Sequence, residues 1–380
     1  MVPKLADKLI ERYADKNATI FDPFCGSGEL LVKAAAQEIE VAGCDINPYA
    51  VLLSRVRVEG FSMPRSTELL GELLHHAARV SRPNEMEWSN KAYWFSKRVL
   101  EKYEMLRAAA VELQLGRSKE GRAVLLALAM SARICSRADE RSPKPFISRD
   151  SIRRKCGRHI DPATTIARLH GALGDIHGSV RHSGSNIVVR NWAIPVAARP
   201  KQYSLIMTSP PYLNAQDYFR NSMLELYLLE GLLDFRVASV MTKFVGTERG
   251  LSLQVIDEQG KDRNRSICPE LRRIERASSQ HAAVVHRYFY DMHVAINNID
   301  RCLRIGGKFV LVCGDNLIAS QRIRTWACLR KILRSIGWKE VDHFADRIRN
   351  RALAPRRSGH KGLIKEERVL VFEKPGHTNR

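Results

Sequence analysis

The stretch that most constrains the fold lies near the start of the chain. Residues 18–24 (ATIFDPF) form a short apolar run that closes on Asp22 and Pro23. Cys25, Gly26, Ser27 and Gly28 follow, and then LLVKAAA, a strong helix former. Residues 41–46 (VAGCDI) are a second buried strand ending on Asp45, and residues 48–58 read as another helix. Strand, glycine loop, helix, strand, helix at about 20-residue spacing is a βαβ pattern.

The pattern changes from about residue 61 to 180. RVLEKYEMLRAAAVELQ and GRAVLLALAMSARICS have helical periodicity, and strand signals are nearly absent, so this part reads as a helical insertion. Strands return at 186–190 (NIVVR) and 204–208 (SLIMT), and again at 308–313, 340–344 and 367–372. With 18–23 and 41–46 that makes seven strands. A helix is expected at 218–231 and a long one at about 275–303, whereas 234–270 is polar, mixed and loop-like. The expected organisation is one split α/β core, 1–60 and 181–380, around an insertion at 61–180.

Composition bears on partners. The 380 residues hold 62 Lys and Arg against 41 Asp and Glu, a formal charge of +21. A folded chain with that excess points to a polyanionic partner, most often nucleic acid. No run of 18 apolar residues exists, so no membrane span is expected. The first residues, MVPKLADKLIERYADK, lack the apolar region of a secretory signal. The eight cysteines form no C-x-x-C pair, so neither a metal site nor a disulfide framework is expected, and a reducing cytoplasm is the natural compartment.

The glycine loop suggests a ligand. Glycines between a strand and a helix let the backbone approach a bound molecule. Position 31 is Leu, so the G-x-G-x-x-G dinucleotide fingerprint is incomplete and a ligand without phosphates fits better. Asp45, ending the next strand, is placed to accept hydrogen bonds from ribose hydroxyls. A nucleoside without phosphate suggests S-adenosylmethionine. A plain strand-to-helix turn is the alternative for the loop taken alone.

The second candidate site is Thr208, Ser209, Pro210, Pro211 and Tyr212, directly after the strand SLIMT. Two prolines stiffen the backbone and remove two N–H donors. Their carbonyls and Ser209 offer acceptors, and Tyr212 offers a flat face. Acceptors beside a stacking ring match an aromatic exocyclic amine, which presents two N–H donors and a π-face. Holding those hydrogens shifts the nitrogen towards a nucleophilic, tetrahedral form. Such a base must leave the duplex first. A Pro-Pro turn closing a strand is the plainer alternative.

Together these motifs resemble the S-adenosylmethionine-dependent amino-methyltransferases of DNA found in restriction–modification systems. DPFCGSG at 22–28 is similar to their cofactor loop, DINP at 45–48 to their ribose contact, and TSPPY at 208–212 to their catalytic motif. Val2, Pro3, Lys4 and Leu5 are similar to the segment that closes over the methionine end. GGKFVLVCGDN at 306–316 fits a later core strand. The resemblance covers residues 1–58 and about 186–374. It implies a seven-stranded, Rossmann-like methyltransferase sheet with the last strand antiparallel. It implies cofactor contacts from Pro3, Lys4, Asp22, Pro23, Phe24, Cys25, Gly26, Gly28, Asp45, Ile46 and Asn47. Catalysis falls to Ser209, Pro210, Pro211 and Tyr212. Ser at the first motif position is typical of cytosine-N4 enzymes, and adenine-N6 transfer stays open as the alternative. One departure is Asn191, which follows NIVVR where the family often has an acid near the cofactor's adenine amine. An amide can still accept there.

Asn214, Asp217 and Tyr218 are candidates to line a base pocket, with Asp217 equally readable as a helix cap. Three basic clusters are candidate DNA contacts. One is the 234–270 loop with Arg249 and Arg263, another is 347–361 with Arg349, and the third is 137–158. The implied substrate is double-stranded DNA in a prokaryotic cytoplasm, with a cognate restriction endonuclease as a candidate companion. RNA base methylation and a non-catalytic DNA-binding subunit are the other readings.

Overall fold

The structure, a computed structural model, describes residues 1–155, 160–177, 187–191, 203–213, 217–246, 256–347 and 366–376. The chain divides into two compact units. One comprises Met1–Ile46, Ser183–Asp217 and Met241–Arg380, the other Asn47–His182 and Tyr218–Val240.

The first unit is built on a seven-stranded sheet. Its strands are β1 (Thr19–Asp22), β2 (Glu40–Asp45), β3 (Ile187–Asn191), β4 (Tyr203–Thr208), β5 (Leu303–Gly314), β6 (Lys339–Arg347) and β7 (Glu366–Glu373). Their spatial order is 3-2-1-4-5-7-6. The first five run parallel, and β7 lies antiparallel between β5 and β6. Parallel strands need long crossovers, and the sequence provides helices for them. β5 is buried along Phe309–Gly314 because both faces of a central strand are covered, which is why KFVLVC reads as an unbroken apolar run.

Helix Ser279–Cys302 lays Val285, Phe289, Met292, Ile296 and Ile299 into the core at helical spacing. Helix Thr325–Ser335 adds Cys328, Leu329, Ile332 and Leu333. Each aliphatic side chain so removed from water contributes roughly 1.5–3 kcal/mol. Near the start of the chain, α1 (Pro3–Tyr13) packs against α2 (Glu29–Ala35).

The second unit is helical. Its core joins helices Met63–Ala77, Lys97–Glu112, Lys119–Cys135 and Met223–Leu229. Residues 123–129 of the third are buried without interruption, the mark of a helix surrounded by others. The buried Arg107 guanidinium donates to the carbonyls of Leu228, Asn84 and Tyr227 and so ties three segments together. Trp88 stacks on Tyr227 with centroids 4.2 Å apart.

Three details differ from the sequence expectations. The helical unit starts at Asn47 rather than 61 and takes in 218–240. The reason is packing: α3 (Pro48–Glu59) buries Leu52 and Val56 in the same cluster as Phe61, Leu70, Leu224 and Leu228. The expected polar loop at 234–270 contains helices Val237–Met241 and Glu258–Ile267. Asp257 caps the second by accepting from Gly260 N at 2.7 Å, and ion pairs such as Lys261–Glu258 run along its exposed face. Only Gly260, Asn264 and Ile267 are buried, a stripe too narrow to show as amphipathic in the sequence.

Candidate functional site

The chain leaves β1 for β2 and β3 and returns at β4 on the other side of β1. The carboxyl ends of β1 and β4 therefore form a topological switch point, where open α/β sheets place ligands. The glycine loop follows β1, and residues 209–212 follow β4.

A direct contact joins them. The Thr208 hydroxyl donates to Asp22 Oδ1 at 2.7 Å, and Phe24 N donates to the same oxygen at 3.1 Å. Asp22 is 5% exposed. Burial pushes its carboxyl up to about 6, against the pull of these two hydrogen bonds. A buried acid held this way is stabilised as the carboxylate by any cation that reaches it.

The loop is shaped by its glycines. Gly26 and Gly28 take φ of +50° and +75°, a region that side-chain-bearing residues rarely adopt. A Cβ on Gly26 would meet nothing within 4 Å, so the loop is open there. Gly26 N donates to Asp45 Oδ2 at 2.9 Å, so this loop N–H is directed at an acid instead of a phosphate. Cys25 N donates to Cys44 O at 3.0 Å and the Cys44 thiol reaches Pro23 O at 3.5 Å, which stitches the loop to β2. Pro23 and Cys25 are buried, while Phe24 is half-buried against the core.

Gly43 was not legible as a site residue. A Cβ there would stand 2.6 Å from Leu31 Cδ1 and 3.1 Å from Cys25 Cβ. The close helix–strand approach that a third loop glycine permits elsewhere is supplied here by a glycine on the neighbouring strand.

After β4, Pro210 is buried and Ser209, Pro211 and Tyr212 are half-buried. The Tyr212 hydroxyl donates to Glu367 Oε1 on β7. Burial raises the phenol well above its ordinary range, the Glu367 charge adds to this, and the Ser209 hydroxyl works against it.

The other candidates fall in several places. Pro3 and Lys4 are exposed in the first turn of α1, not ahead of it. The backbone of Asn191 lies level with Asp45 across β3 and β2. Ile46 is half-buried directly after β2. Asn47 caps α3 in the helical unit, accepting from Tyr49 N, and its amide donates to Ser222. Asp217 is half-buried, and Tyr218 opens helix Tyr218–Asn221, its carbonyl accepting from Ser222. Arg263 is exposed on helix Glu258–Ile267 rather than on a loop. Asn214, Arg249 and Arg349 lie outside the described residues.

Much of the 137–158 basic cluster is engaged inside the helical unit. Arg137 donates to the carbonyls of Ala92 and Tyr93, Arg141 and Arg154 pair with the buried Asp139, and Lys155 donates to four backbone carbonyls. These charges hold loops in place, which the sequence did not reveal. Among the described residues, no cluster of three His, Cys, Asp or Glu could hold a metal, and no helix is long and apolar enough to cross a membrane.

Residues 2–55 match the N6/N4 methylase family, described as DNA methylase. The match takes in the glycine loop, Asp22 and Asp45, and stops before Ser209. Type II methyltransferase M.MvaI of Kocuria varians is 25% identical over 119 residues, 28% of this chain and 26% of its own length. Type II methyltransferase M.MjaII of Methanocaldococcus jannaschii is 27% identical over 81 residues, 21% of this chain and 15% of its own. The matched segments thus span about a quarter or less of these relatives. A SAM-dependent methyltransferase from Methanosarcina mazei aligns over 97% of both chains at 10% identity, with a TM-score of 0.37. A score that low adds nothing to the fold assignment, which rests on the sheet order above.

Proposed function

We propose that this chain is an S-adenosylmethionine-dependent DNA methyltransferase acting on the exocyclic N4 amine of a flipped cytosine. The observation that carries the reading is the Thr208–Asp22 hydrogen bond, which couples the glycine loop to the SPPY segment at the sheet's switch point. The family match at 2–55 and the two type II methyltransferase relatives support the coarser part, a DNA methylase.

The residues present fit the cofactor. S-adenosylmethionine carries no phosphates, two positive centres and a ribose. The loop at Gly26 is open, its N–H is already directed at Asp45, and the buried Asp22 carboxyl gains from a nearby cation. Gly26, Gly28 and the 22–25 segment would form the loop around it, Asp45 would accept from the ribose hydroxyls, and Pro3 and Lys4 would lie towards the methionine end. Asn191 and Ile46 would border the adenine. When bound, the cofactor supplies a methyl group on a sulfonium.

The chain's own residues then act on the base. Ser209 and the proline-flanked carbonyls accept the amine hydrogens, which raises the nucleophilicity of the nitrogen. Tyr212 supplies the stacking face. Asn214, Asp217 and Tyr218 remain candidates to line the base pocket, and Arg249, Arg263 and Arg349 to hold the DNA. The net charge of +21 suits a DNA backbone. We assign target reading to the helical insertion at 61–180 together with the 234–270 segment; replacing 61–180 with the equivalent of a relative of different specificity should move the methylated sequence, and an unchanged sequence defeats that assignment.

Tyr212→Ala tests the site. It should abolish methyl transfer to DNA while leaving the dissociation constant for S-adenosylmethionine close to wild type. Undiminished transfer would remove Tyr212 from the mechanism.

A further inference from the structure

Glu367 lies 155 residues from Tyr212 in sequence, yet its carboxylate accepts the Tyr212 hydroxyl. The topology explains the meeting. β7 is antiparallel, so its first residues lie beside the last residues of β5, and Glu367 pairs in register with Gly314. β5 is in turn the neighbour of β4, whose extension is the SPPY segment. Glu367 is 7% exposed, and its Oε2 has no hydrogen-bond partner among the described residues.

A buried carboxylate with one oxygen unsatisfied costs more than an apolar side chain of similar volume would. A contact that served only to fasten strand to loop would be met more cheaply by packing. What the carboxylate adds is direction. It accepts from the phenol oxygen and so fixes where that end of the ring lies, and because a phenolic O–H prefers the plane of its ring, the direction of the acceptor orients the ring plane as well. A ring fixed before the base arrives needs no ordering when it stacks. The hydroxyl's proton is also committed to Glu367, so it is not a competing donor. The phenol, raised by burial and by this neighbouring charge, stays neutral through the working range.

We infer that Glu367 is a positioning residue for base stacking: its carboxylate orients the Tyr212 ring. This rests on the methyltransferase reading above. Four proteins test it: wild type, Glu367→Ala, Tyr212→Phe and the double variant, with Glu367→Gln as the conservative variant and Glu366→Gln as a control on the same strand. The readouts are the single-turnover rate of methyl transfer to a DNA duplex, the dissociation constant for S-adenosylmethionine, and Tm.

Glu367→Ala should slow transfer by about 10–100-fold, the scale of a misplaced reacting group, with cofactor affinity within about twofold. Glu367→Gln, whose amide oxygen still accepts the phenol proton, should recover most of the rate, and Glu366→Gln should match wild type. The double variant should be no slower than the slower single variant. An unchanged rate in Glu367→Ala, a Glu367→Gln as slow as Glu367→Ala, or rate losses that multiply would each overturn the inference while leaving the methyltransferase reading intact. A wild type inactive on all DNA would instead overturn the methyltransferase reading. Tm reads the pair without activity: losses in Tyr212→Phe and Glu367→Ala should be less than additive in the double variant, and additive losses would overturn the inference. Should Glu367→Ala fail to fold, Glu367→Met, which keeps the volume and removes the acceptor, takes its place in every comparison, with the same expected losses and the same refuting results.

Discussion

Gly43→Ala is a small change with a structural consequence that can be worked out. The added methyl would sit 2.6 Å from Leu31 Cδ1, where van der Waals contact needs almost an ångström more. Leu31 is fully buried, so its side chain has little room to yield. Cys25 Cβ at 3.1 Å closes the other side, and Cys25 belongs to the glycine loop. Overpacking of this kind costs about 1–3 kcal/mol, partly offset by roughly 0.5–1 kcal/mol from replacing a strand glycine. Leu31→Ala alone should cost about 2–5 kcal/mol through its cavity. In the double variant the new methyl occupies space that the leucine has vacated, so the two losses should fall short of their sum by 1 kcal/mol or more on the scale of contacting pairs, about 0.5–3 kcal/mol. Urea denaturation of the four proteins measures this. Strict additivity would refute the claim that Gly43 makes room for α2. A Gly43→Ala variant with unaltered cofactor affinity would refute the claim that this packing shapes the loop.

Three other outcomes follow from the geometry. Asp22 has a folded-state pKa of about 6, above the value of the unfolded chain, so the folded state takes up its proton first as pH falls. This group therefore stabilises the fold as pH drops through about 6 towards about 4 and burdens it at higher pH, whereas affinity for a cationic cofactor should fall below pH 6, by at most about tenfold per pH unit. Titration of S-adenosylmethionine binding against pH checks this: wild type should weaken below pH 6 and Asp22→Asn should not, and a flat wild-type profile or an equal slope in both proteins would contradict it. Arg107→Met should destabilise the helical unit by about 2–5 kcal/mol, since the carbonyls of Leu228, Asn84 and Tyr227 lose their donor; thermal denaturation of the full chain measures it. DNA affinity should fall by about 10³–10⁵ between 50 and 200 mM salt if 6–10 phosphates are contacted, as read by fluorescence anisotropy.

The central strands of the main sheet were legible because they are buried on both faces and so read as apolar runs. KFVLVC at 308–313, within β5 (Leu303–Gly314), and ERVLVF at 367–372, within β7 (Glu366–Glu373), were recognisable for this reason. The glycine loop was legible through Gly26 and Gly28, whose positive φ the turn demands. Gly43 was not, because nothing local distinguishes it; its role depends on Leu31 arriving from a different element. Glu367 was hidden for a similar reason. A charged residue near the start of a strand looks solvated until the antiparallel pairing with β5 brings it to Tyr212. Helix α3 looked like part of the βαβ core because sequence order placed it there, whereas its apolar residues pack with the helical unit. Helix Glu258–Ile267 reads as loop in the sequence because its ten mostly polar residues bury only three.

Methylation of an exocyclic amine in DNA is the activity we propose for the switch-point edge of this sheet. The most direct test incubates the protein with duplex DNA and methyl-labelled S-adenosylmethionine, digests the DNA to nucleosides and identifies the labelled one by mass spectrometry. The account predicts N4-methylcytosine. Label in N6-methyladenine would contradict the assigned base, and unlabelled DNA across varied sequences would contradict the account as a whole.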